Sequence, residues 1–179
     1  MSREQDLRPE TATVRLGDID VHYRAAGTGP AVVLVHGLAE DHTTWQPQQH
    51  DLTDYRTYAY DLRGHGASGL GEATGTLDQL RDDLAAFLRQ VSGPAVCVGF
   101  SLGGTVVLSA AAAHPDLVTG VIVLGTSTVV GRAAAGFYAK RIAQARSGQP
   151  QQLAEALRED TAAALSDPTQ ADRITARRL

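Results

Sequence analysis

The sequence predicts an α/β fold in which a mostly parallel β-sheet carries helices on both faces. Short runs of apolar residues recur along the chain without alternating in polarity, which is typical of strands covered on both faces. Segments with the three- and four-residue spacing of amphipathic helices separate these runs. Strands that alternate with helices favour right-handed, parallel connections, and this pattern gives the fold class.

The predicted strands begin with a hairpin at the sheet edge. We expect residues 1–11 to form a loose tail, because they are polar and charged. Polarity then alternates in residues 13–16 and 19–24 around Gly17 and Asp18, as in two strands joined by a tight turn. Buried strands are expected after this hairpin, each formed by its own short continuous apolar run. They are predicted at residues 31–35, 57–60, 95–99 and 121–124.

Three helical regions are predicted between and after these strands. Thr76 starts the first, with Gln79 placed for a capping box. Its apolar positions share one face: Leu77, Leu80, Leu84, Phe87, Leu88 and Val91. Residues 102–113 are small and apolar, as in a helix buried against a sheet, and His114 and Pro115 end it. Residues 133–179 predict two or three helices with breaks at 147–150 and 167–168.

Composition limits the classes of function. The 179 residues fit one globular domain with 43% hydrophobic and 20% charged residues. A net charge of −4 and scattered basic residues argue against nucleic-acid and anionic-membrane partners. A single cysteine, Cys97, a polar N-terminus and the lack of a long apolar stretch lead us to expect a cytoplasmic protein.

The most specific motif is Gly99-Phe100-Ser101-Leu102-Gly103, directly after an apolar strand and directly before a helix. This context predicts a nucleophile elbow, a sharp strand-to-helix turn that exposes the serine hydroxyl. Gly99 and Gly103 remove side chains that would collide in so tight a bend. Ser101 is therefore the predicted catalytic nucleophile, and the helix N-terminus below it favours a developing oxyanion.

A second motif, His36-Gly37-Leu38, directly follows the strand at residues 31–35. An oxyanion hole needs two N–H donors, and we expect them on Leu102 and on Leu38. Gly37 lets the backbone turn so that the N–H of Leu38 can face the site. We expect His36 to support this loop through hydrogen bonds rather than to act as the catalytic base.

The motifs HGLAEDHTTW (36–45), DLRGHGAS (61–68) and GFSLGG (99–104) together resemble the α/β-hydrolase superfamily. More narrowly, they resemble small bacterial esterases, enol-lactonases and cofactor-free haloperoxidase-like members. The resemblance covers residues 12–130 and implies a helical cap inserted after the sixth strand. It also implies that His65 belongs to a structural turn.

The resemblance also implies a substrate pocket, to which we assign Trp45 and Phe100. Trp45 would start the helix after the oxyanion loop, and a plain core role fits it equally well.

The resemblance also implies a triad in the order Ser, then Asp or Glu, then His. Residues 125–128 hold no carboxylate, and no histidine follows His114. We expect His114 to close its helix, and the remaining early histidines to be solvated: His22, His42 and His50. These observations favour a chain truncated within its cap, with a core over 12–130 and a partial cap over 131–179. The missing segment, on the same or a second chain, would supply acid and base.

Serine at the elbow excludes the relatives that use aspartate there and favours attack on an ester or lactone through an acyl-enzyme. Two alternatives stay open. One is a non-catalytic protein that keeps the fold for binding; the other is perhydrolase, haloperoxidase-like or C–C hydrolase chemistry at the same serine. The histidines show no metal-ligand spacing and no dinucleotide motif follows the first strand, so we expect no metal or cofactor.

Overall fold

Six strands form one sheet in the computed structural model, which describes residues 9–129 and 131–176. They are β1 (Glu10–Leu16), β2 (Ile19–Ala26), β3 (Ala31–Val35), β4 (Arg56–Tyr60), β5 (Ala95–Phe100) and β6 (Val118–Leu124). Their spatial order is β1-β2-β4-β3-β5-β6. β1 and β2 pair in the antiparallel direction, as do β2 and β4, and the remaining pairs are parallel. The predicted mostly parallel sheet is therefore confirmed.

The hairpin lies at the sheet edge as predicted, but β1 starts earlier than expected. Glu10 pairs with Ala25 and Leu16 with Ile19, so residues 10 and 11 belong to a strand rather than to a tail. Cross-strand pairing with β2 outweighs their polarity, because one face of β1 stays in solvent. The predicted tail over residues 1–8 lies outside the described residues.

The central strands supply both faces of the core. Val33 and Val35 point into a large cluster, whereas Val32 and Leu34 point into a smaller one that also contains Trp45. This division follows from the two-residue period of side chains along a strand. It explains why β3 is apolar at every position.

Three helices accompany the sheet: α1 (Gln46–Asp51), α2 (Leu77–Phe87) and α3 (Leu102–Ala113). The hydroxyl of Thr76 caps α2 by accepting the N–H of Gln79 at 3.3 Å. The predicted capping box is wrong in its second half. The Gln79 side chain instead accepts the N–H of Thr74 and donates to the carbonyl of Glu72, which ties the preceding loop to the helix.

α2 and α3 cover the larger cluster. Leu84 and Phe87 of α2 are fully buried, and the Phe87 ring stacks on Tyr60 with ring centroids 4.8 Å apart. Val106 and Val107 of α3 are buried in the same cluster. Leu77, predicted on the apolar face of α2, is instead 38% exposed, since it lies in the first turn.

β6 presents apolar side chains to solvent. It begins at Val118, three residues before the predicted start, and among the described residues it pairs only with β5. Ile122 and Leu124 are 52% and 46% exposed. Within the described residues, β6 is thus an edge of the sheet that exposes apolar side chains.

The chain divides into two compact units, one ending at Thr126 and the other starting at Ser127. The predicted core ended four residues later, at residue 130, which lies outside the described residues. The second unit contains α4 (Arg132–Arg146), α5 (Pro150–Ala164) and α6 (Ala171–Thr175). Arg141 of α4 donates to Asp160 of α5 at 2.9 Å, and this ion pair joins the two helices. No helix in the described ranges combines the length and apolar character needed to cross a bilayer.

Candidate active site

Ser101 stands at a strained turn between β5 and α3. Its φ of 52° and ψ of −115° lie in a region that residues with a side chain rarely adopt. Among the described non-glycine residues, only Ala39 shares a positive φ. The strain identifies the turn that the Gly-x-Ser-x-Gly motif predicted.

Glycines make this turn possible. A Cβ on Gly99 would lie 2.5 Å from the carbonyl oxygen of Gly103, and a Cβ on Gly103 would lie 2.5 Å from that of His36. Because these neighbours are backbone atoms, they cannot rotate out of the way. The missing side chains let the start of α3 approach both β5 and the loop after β3.

Hydrogen bonds to the last residue of β6 and to the loop after it hold the nucleophile turn. The Ser101 N–H donates to the carbonyl of Leu124 at 2.9 Å, and the hydroxyl of Thr126 donates to the carbonyl of Ser101 at 3.2 Å. The Ser101 side chain is half-buried. The strained conformation is thus held at both the N–H and the carbonyl group of Ser101.

The two predicted oxyanion donors have amides available for a ligand. Leu102 is the first residue of α3, so its N–H has no acceptor within the helix. The N–H of Gly37 donates to the Glu40 carboxylate at 3.2 Å, whereas the N–H of Leu38 has no hydrogen-bond partner within the described ranges. Phe100 packs beside this loop, since a Cβ on Gly37 would lie 3.1 Å from its ring.

His36 is a buried support of the loop. Its Nδ1 lies 2.7 Å from the carbonyl oxygen of Gly37, and its Nε2 accepts the N–H of Leu62 at 3.0 Å. This pair of contacts assigns the proton of a neutral imidazole to Nδ1. Burial lowers the pKa of His36 to about 4, although the contact with Gly37 opposes the shift. The ring links the loop after β3 to the loop after β4.

Sequence reasoning missed the partnership of His42 with Asp61. The buried Asp61 carboxylate accepts Nδ1 of His42 at 2.8 Å and the N–H of Ala67 at 2.9 Å. The hydrogen bond to Asp61 raises the pKa of His42. Burial alone would raise the pKa of Asp61, but the hydrogen bonds from His42 and Ala67 outweigh it and lower that pKa. The prediction that His42 is solvated is wrong, because a carboxylate 19 positions further along the chain gives no local signal.

A second missed network is centred on Arg63. Its guanidinium donates to both carboxylate oxygens of Asp83 at 2.8 Å and to those of Asp18 at 2.9 and 3.0 Å. It also donates to the carbonyl of Leu70 at 3.1 Å. Hydrogen bonds from Arg63 hold the pKa of Asp18 well below its usual range. The hairpin turn, α2 and the loop after β4 therefore converge on one side chain.

A cavity of about 310 Å³ opens next to the predicted oxyanion donors. Leu38 and Leu102 line it together, and Ser101 itself is not among the lining residues. The other walls come from the loop after β4 and the start of α2: Arg63, His65, Leu70, Ala73, Gly75, Thr76, Leu77, Gln79 and Leu80. The cavity lies entirely within the first unit.

The remaining predicted residues occupy different places. Trp45 is 4% exposed in the smaller core cluster, at the end of a 3-10 turn, and does not line the cavity. Phe100 is 36% exposed beside Gly37. His65 lies at the cavity, where its Nδ1 is 3.0 Å from the carbonyl oxygen of Arg63. His22 is half-buried, with its ring 5.2 Å from that of His42, and His50 is exposed.

Comparison with known proteins identifies the fold and its relatives. A sequence profile of the alpha/beta hydrolase fold matches residues 30–173. The chain is 35% identical over 113 residues to a 2-(acetamidomethylene)succinate hydrolase of Mesorhizobium japonicum, covering 62% of this chain and 41% of that protein. It is 42% identical over 109 residues to lipase LipV of Mycobacterium tuberculosis, covering 59% of this chain and 41% of the lipase. The chain thus spans about two-fifths of the length of these curated relatives.

Solved structures agree with this assignment. The enol-lactonase from Burkholderia xenovorans LB400 is similar with a TM-score of 0.81 at 26% identity, covering 93% of this chain and 66% of that one. A thermophilic esterase is similar with a TM-score of 0.73 at 21% identity, covering 96% of this chain and 64% of that one. The second likeness shows the fold alone.

Proposed function

Because the chain belongs to the alpha/beta hydrolase fold family, as its three motifs indicated, we propose that it carries the nucleophile and oxyanion hole of a serine hydrolase. The substrate is a carboxylic ester or lactone. The observation that carries this proposal is the strained backbone of Ser101 at a turn whose neighbouring glycines admit no side chain. A fold that needed only a strand-to-helix connection would have no reason to hold a serine at φ 52°.

Ser101 Oγ attacks the carbonyl carbon of the substrate. The carbonyl oxygen becomes an oxyanion in the tetrahedral intermediate, and the alkoxy group leaves with a proton as the acyl-enzyme forms. Water then attacks the acyl carbon and releases the carboxylic acid and free Ser101.

The amides of Leu38 and Leu102 bind the oxyanion. Both belong to residues that line one cavity, and neither amide is committed to a hydrogen bond within the described ranges. The N-terminal end of α3 adds partial positive charge at the same place. Loss of one such donor typically lowers kcat by about 100- to 1,000-fold.

The proton of Ser101 requires a base that the described residues do not provide. Among them, no histidine makes a hydrogen bond with the Ser101 side chain, and His36 Nε2 already accepts the N–H of Leu62. We propose that residues outside those described supply the histidine and its acid in the whole protein. This part of the site is a proposal about the whole protein, because the chain spans about two-fifths of its curated relatives.

Ester or lactone hydrolysis also agrees with the names of the relatives, which include a lipase and an enol-lactonase. Perhydrolase and C–C hydrolase chemistry would use the same serine, and a substrate panel separates them from ester hydrolysis. A cytoplasmic location remains part of the proposal.

A fluorophosphonate probe tests the nucleophile in the whole protein. We expect labelling of the native protein and complete loss of labelling in Ser101→Ala. Ser109→Ala is the matched control, because Ser109 lies on α3 outside the elbow, and its labelling should be unchanged. Labelling that survives in Ser101→Ala would overturn the assignment, and a native protein that is never labelled would favour the non-catalytic binding alternative.

A further inference from the structure

We propose that Glu40 is a positioning residue for the oxyanion hole, because its carboxylate fixes the loop that carries the Leu38 amide. This inference rests on the proposed function, since it concerns the amide to which that function assigns the oxyanion. Glu40 acts through Gly37, the residue directly before Leu38, rather than on the substrate itself.

The peptide unit between His36 and Gly37 is held by Glu40. The N–H of Gly37 donates to the Glu40 carboxylate at 3.2 Å, so the side chain reaches back over three positions of the chain. The Thr44 hydroxyl donates to the same carboxylate oxygen at 3.5 Å. That oxygen therefore joins the start of the loop after β3 to the 3-10 turn (His42–Trp45) that follows it.

The next peptide unit carries the amide that is proposed to bind the oxyanion. His36 Nδ1, which holds the proton of the neutral ring, lies 2.7 Å from the carbonyl oxygen of Gly37. In a trans peptide the C=O and the following N–H point in opposite directions, and no described residue has a cis peptide bond. The N–H of Leu38 therefore points away from the buried His36 ring.

Gly37 is thus held at both ends, at its N–H by Glu40 and at its C=O by His36. A Cβ on Gly37 would lie 3.1 Å from the Phe100 ring and 3.2 Å from the Glu40 carboxylate, so the residue is also enclosed from two directions. The contact at the C=O alone would let the peptide plane turn about that hydrogen bond, and glycine offers many backbone conformations for such a turn. The contact with Glu40 removes this freedom.

A strained residue lies between the Leu38 amide and Glu40. Ala39 has a φ of 57°, in the left-handed region that residues with a side chain rarely adopt. Such a conformation persists only where surrounding contacts hold it. The left-handed turn lets Glu40 reach back to Gly37, and the resulting hydrogen bond closes the turn and offsets its strain.

Apolar packing does little to fix this part of the loop. The Leu38 side chain is 51% exposed, and Ala39 and Glu40 are half-buried. Hydrogen bonds to the neighbouring residue Gly37 therefore determine the direction of the Leu38 amide.

The rate of fluorophosphonate labelling in the whole protein measures the oxyanion hole, because the phosphoryl oxygen takes the place of the oxyanion. We expect Glu40→Ala to lower the second-order labelling rate by at least about ten-fold, as for a misplaced catalytic contact. Glu40→Gln should largely restore the rate, since its amide oxygen still accepts the N–H of Gly37. With an ester substrate, the loss should fall on kcat rather than on KM, because the oxyanion develops only in the transition state.

Asp41→Ala is the matched control in the same loop. The Asp41 carboxylate accepts the N–H and the hydroxyl of Thr43, whereas the N–H of Gly37 donates to Glu40. Asp41 is half-buried, as Glu40 is. Its replacement should lower stability through loss of the cap on the 3-10 turn, but the labelling rate and kcat should stay unchanged.

Amide hydrogen exchange reports the contact without catalysis. Exchange at Gly37 should quicken in Glu40→Ala and stay as in the native protein in Glu40→Gln and Asp41→Ala. Equal labelling rates for the native protein and Glu40→Ala would overturn this inference while leaving Ser101 as the nucleophile. Equal losses in Glu40→Ala and Asp41→Ala would also overturn it, since general disruption of the loop would then explain both. A native protein that is never labelled would instead overturn the proposed function, and this inference with it.

Discussion

One carboxylate oxygen of Asp61 accepts two hydrogen bonds from His42, one from its backbone N–H at 2.7 Å and one from Nδ1 at 2.8 Å. The other oxygen accepts the N–H of Ala67. The loop after β3 and the loop after β4 are therefore joined at a fully buried charge. One of these loops contains Leu38 and the other forms part of the cavity wall. The hydrogen bonds of Asp61 therefore hold the two parts of the candidate site together.

Asp61→Asn should weaken the first unit. The amide would keep the shape of the side chain but lose the charge and direct an NH₂ group toward a donor. We expect the free energy of unfolding to fall by about 3 kcal/mol, as for a buried, charged hydrogen-bond acceptor. Urea denaturation measures this change.

Asp51→Asn provides the comparison, since Asp51 binds His50 with both side chains more than three-quarters exposed. Its effect should stay within about 0.5 kcal/mol. If both substitutions lowered the free energy of unfolding by the same amount, burial would not strengthen the hydrogen bonds of Asp61.

His36 should make stability depend on pH in the acidic range. Its pKa is lowered from the ordinary value of 6.5 to about 4 in the folded protein, so the unfolded chain binds more protons between these values. Stability is then highest above pH 6.5 and falls as the pH drops toward 4, by about 3 kcal/mol from this residue alone. The pKa of His42 is raised in the folded protein, so His42 stabilises the fold below pH 6.5. This stabilisation is lost only at higher pH.

His36→Asn removes this titration while keeping a donor near Gly37. Urea denaturation between pH 4 and 7 should show a shallower acidic loss for the variant than for the native protein. NMR titration should place the His36 imidazole near pH 4. An imidazole that titrates near 6.5, or equal slopes for the two proteins, would contradict the assignment.

Arg63→Met should destabilise the loop after β4. The substitution leaves the nearly buried Asp83 carboxylate without its bidentate partner, and breaking such a pair typically costs about 3–5 kcal/mol. Arg15→Met is the control, because Arg15 and Asp20 are both more than 60% exposed, and it should change stability by less than about 0.5 kcal/mol. Hydrogen exchange should also quicken at Leu70 and Glu72 in Arg63→Met only.

Gly103→Ala should disrupt the nucleophile turn. The added Cβ would meet the carbonyl oxygens of Val35 and His36, and α3 would have to move away from the sheet. We expect a loss of at least about 3 kcal/mol, together with loss of fluorophosphonate labelling in the whole protein.

Gly136→Ala is the matched substitution in an open position. Gly136 lies inside α4, and a Cβ added there would meet no atom within 4 Å, so alanine should raise helix stability by about 0.5–1 kcal/mol. Circular dichroism during urea titration measures both variants. A Gly103→Ala variant as stable as the native protein would contradict the close approach of α3 to the loop after β3.

Local patterns determined the fold class and the nucleophile turn. The apolar run of β3, the glycines around Ser101 and the hydroxyl cap at Thr76 act over a few residues, so their consequences can be read along the chain. Where a distant partner competes, the prediction failed. Gln79 was expected to complete a capping box but binds the preceding loop instead, and residues 10 and 11 were expected in a tail but pair with β2.

The sequence by itself determined a mostly parallel α/β sheet and the sharp strand-to-helix turn at Ser101. Only the tertiary structure decided which side chains hold that site in place. Asp61 meets His42 across 19 residues, and Arg63 meets Asp18 across 45, because each contact needs two loops brought to one end of the sheet. No sequence pattern predicts such pairs, because the number of residues between the two partners depends on the lengths of the strands and helices that separate them. The cavity beside Leu38 and Leu102 could not be predicted from the sequence for the same reason, since its lining residues come from distant parts of the chain.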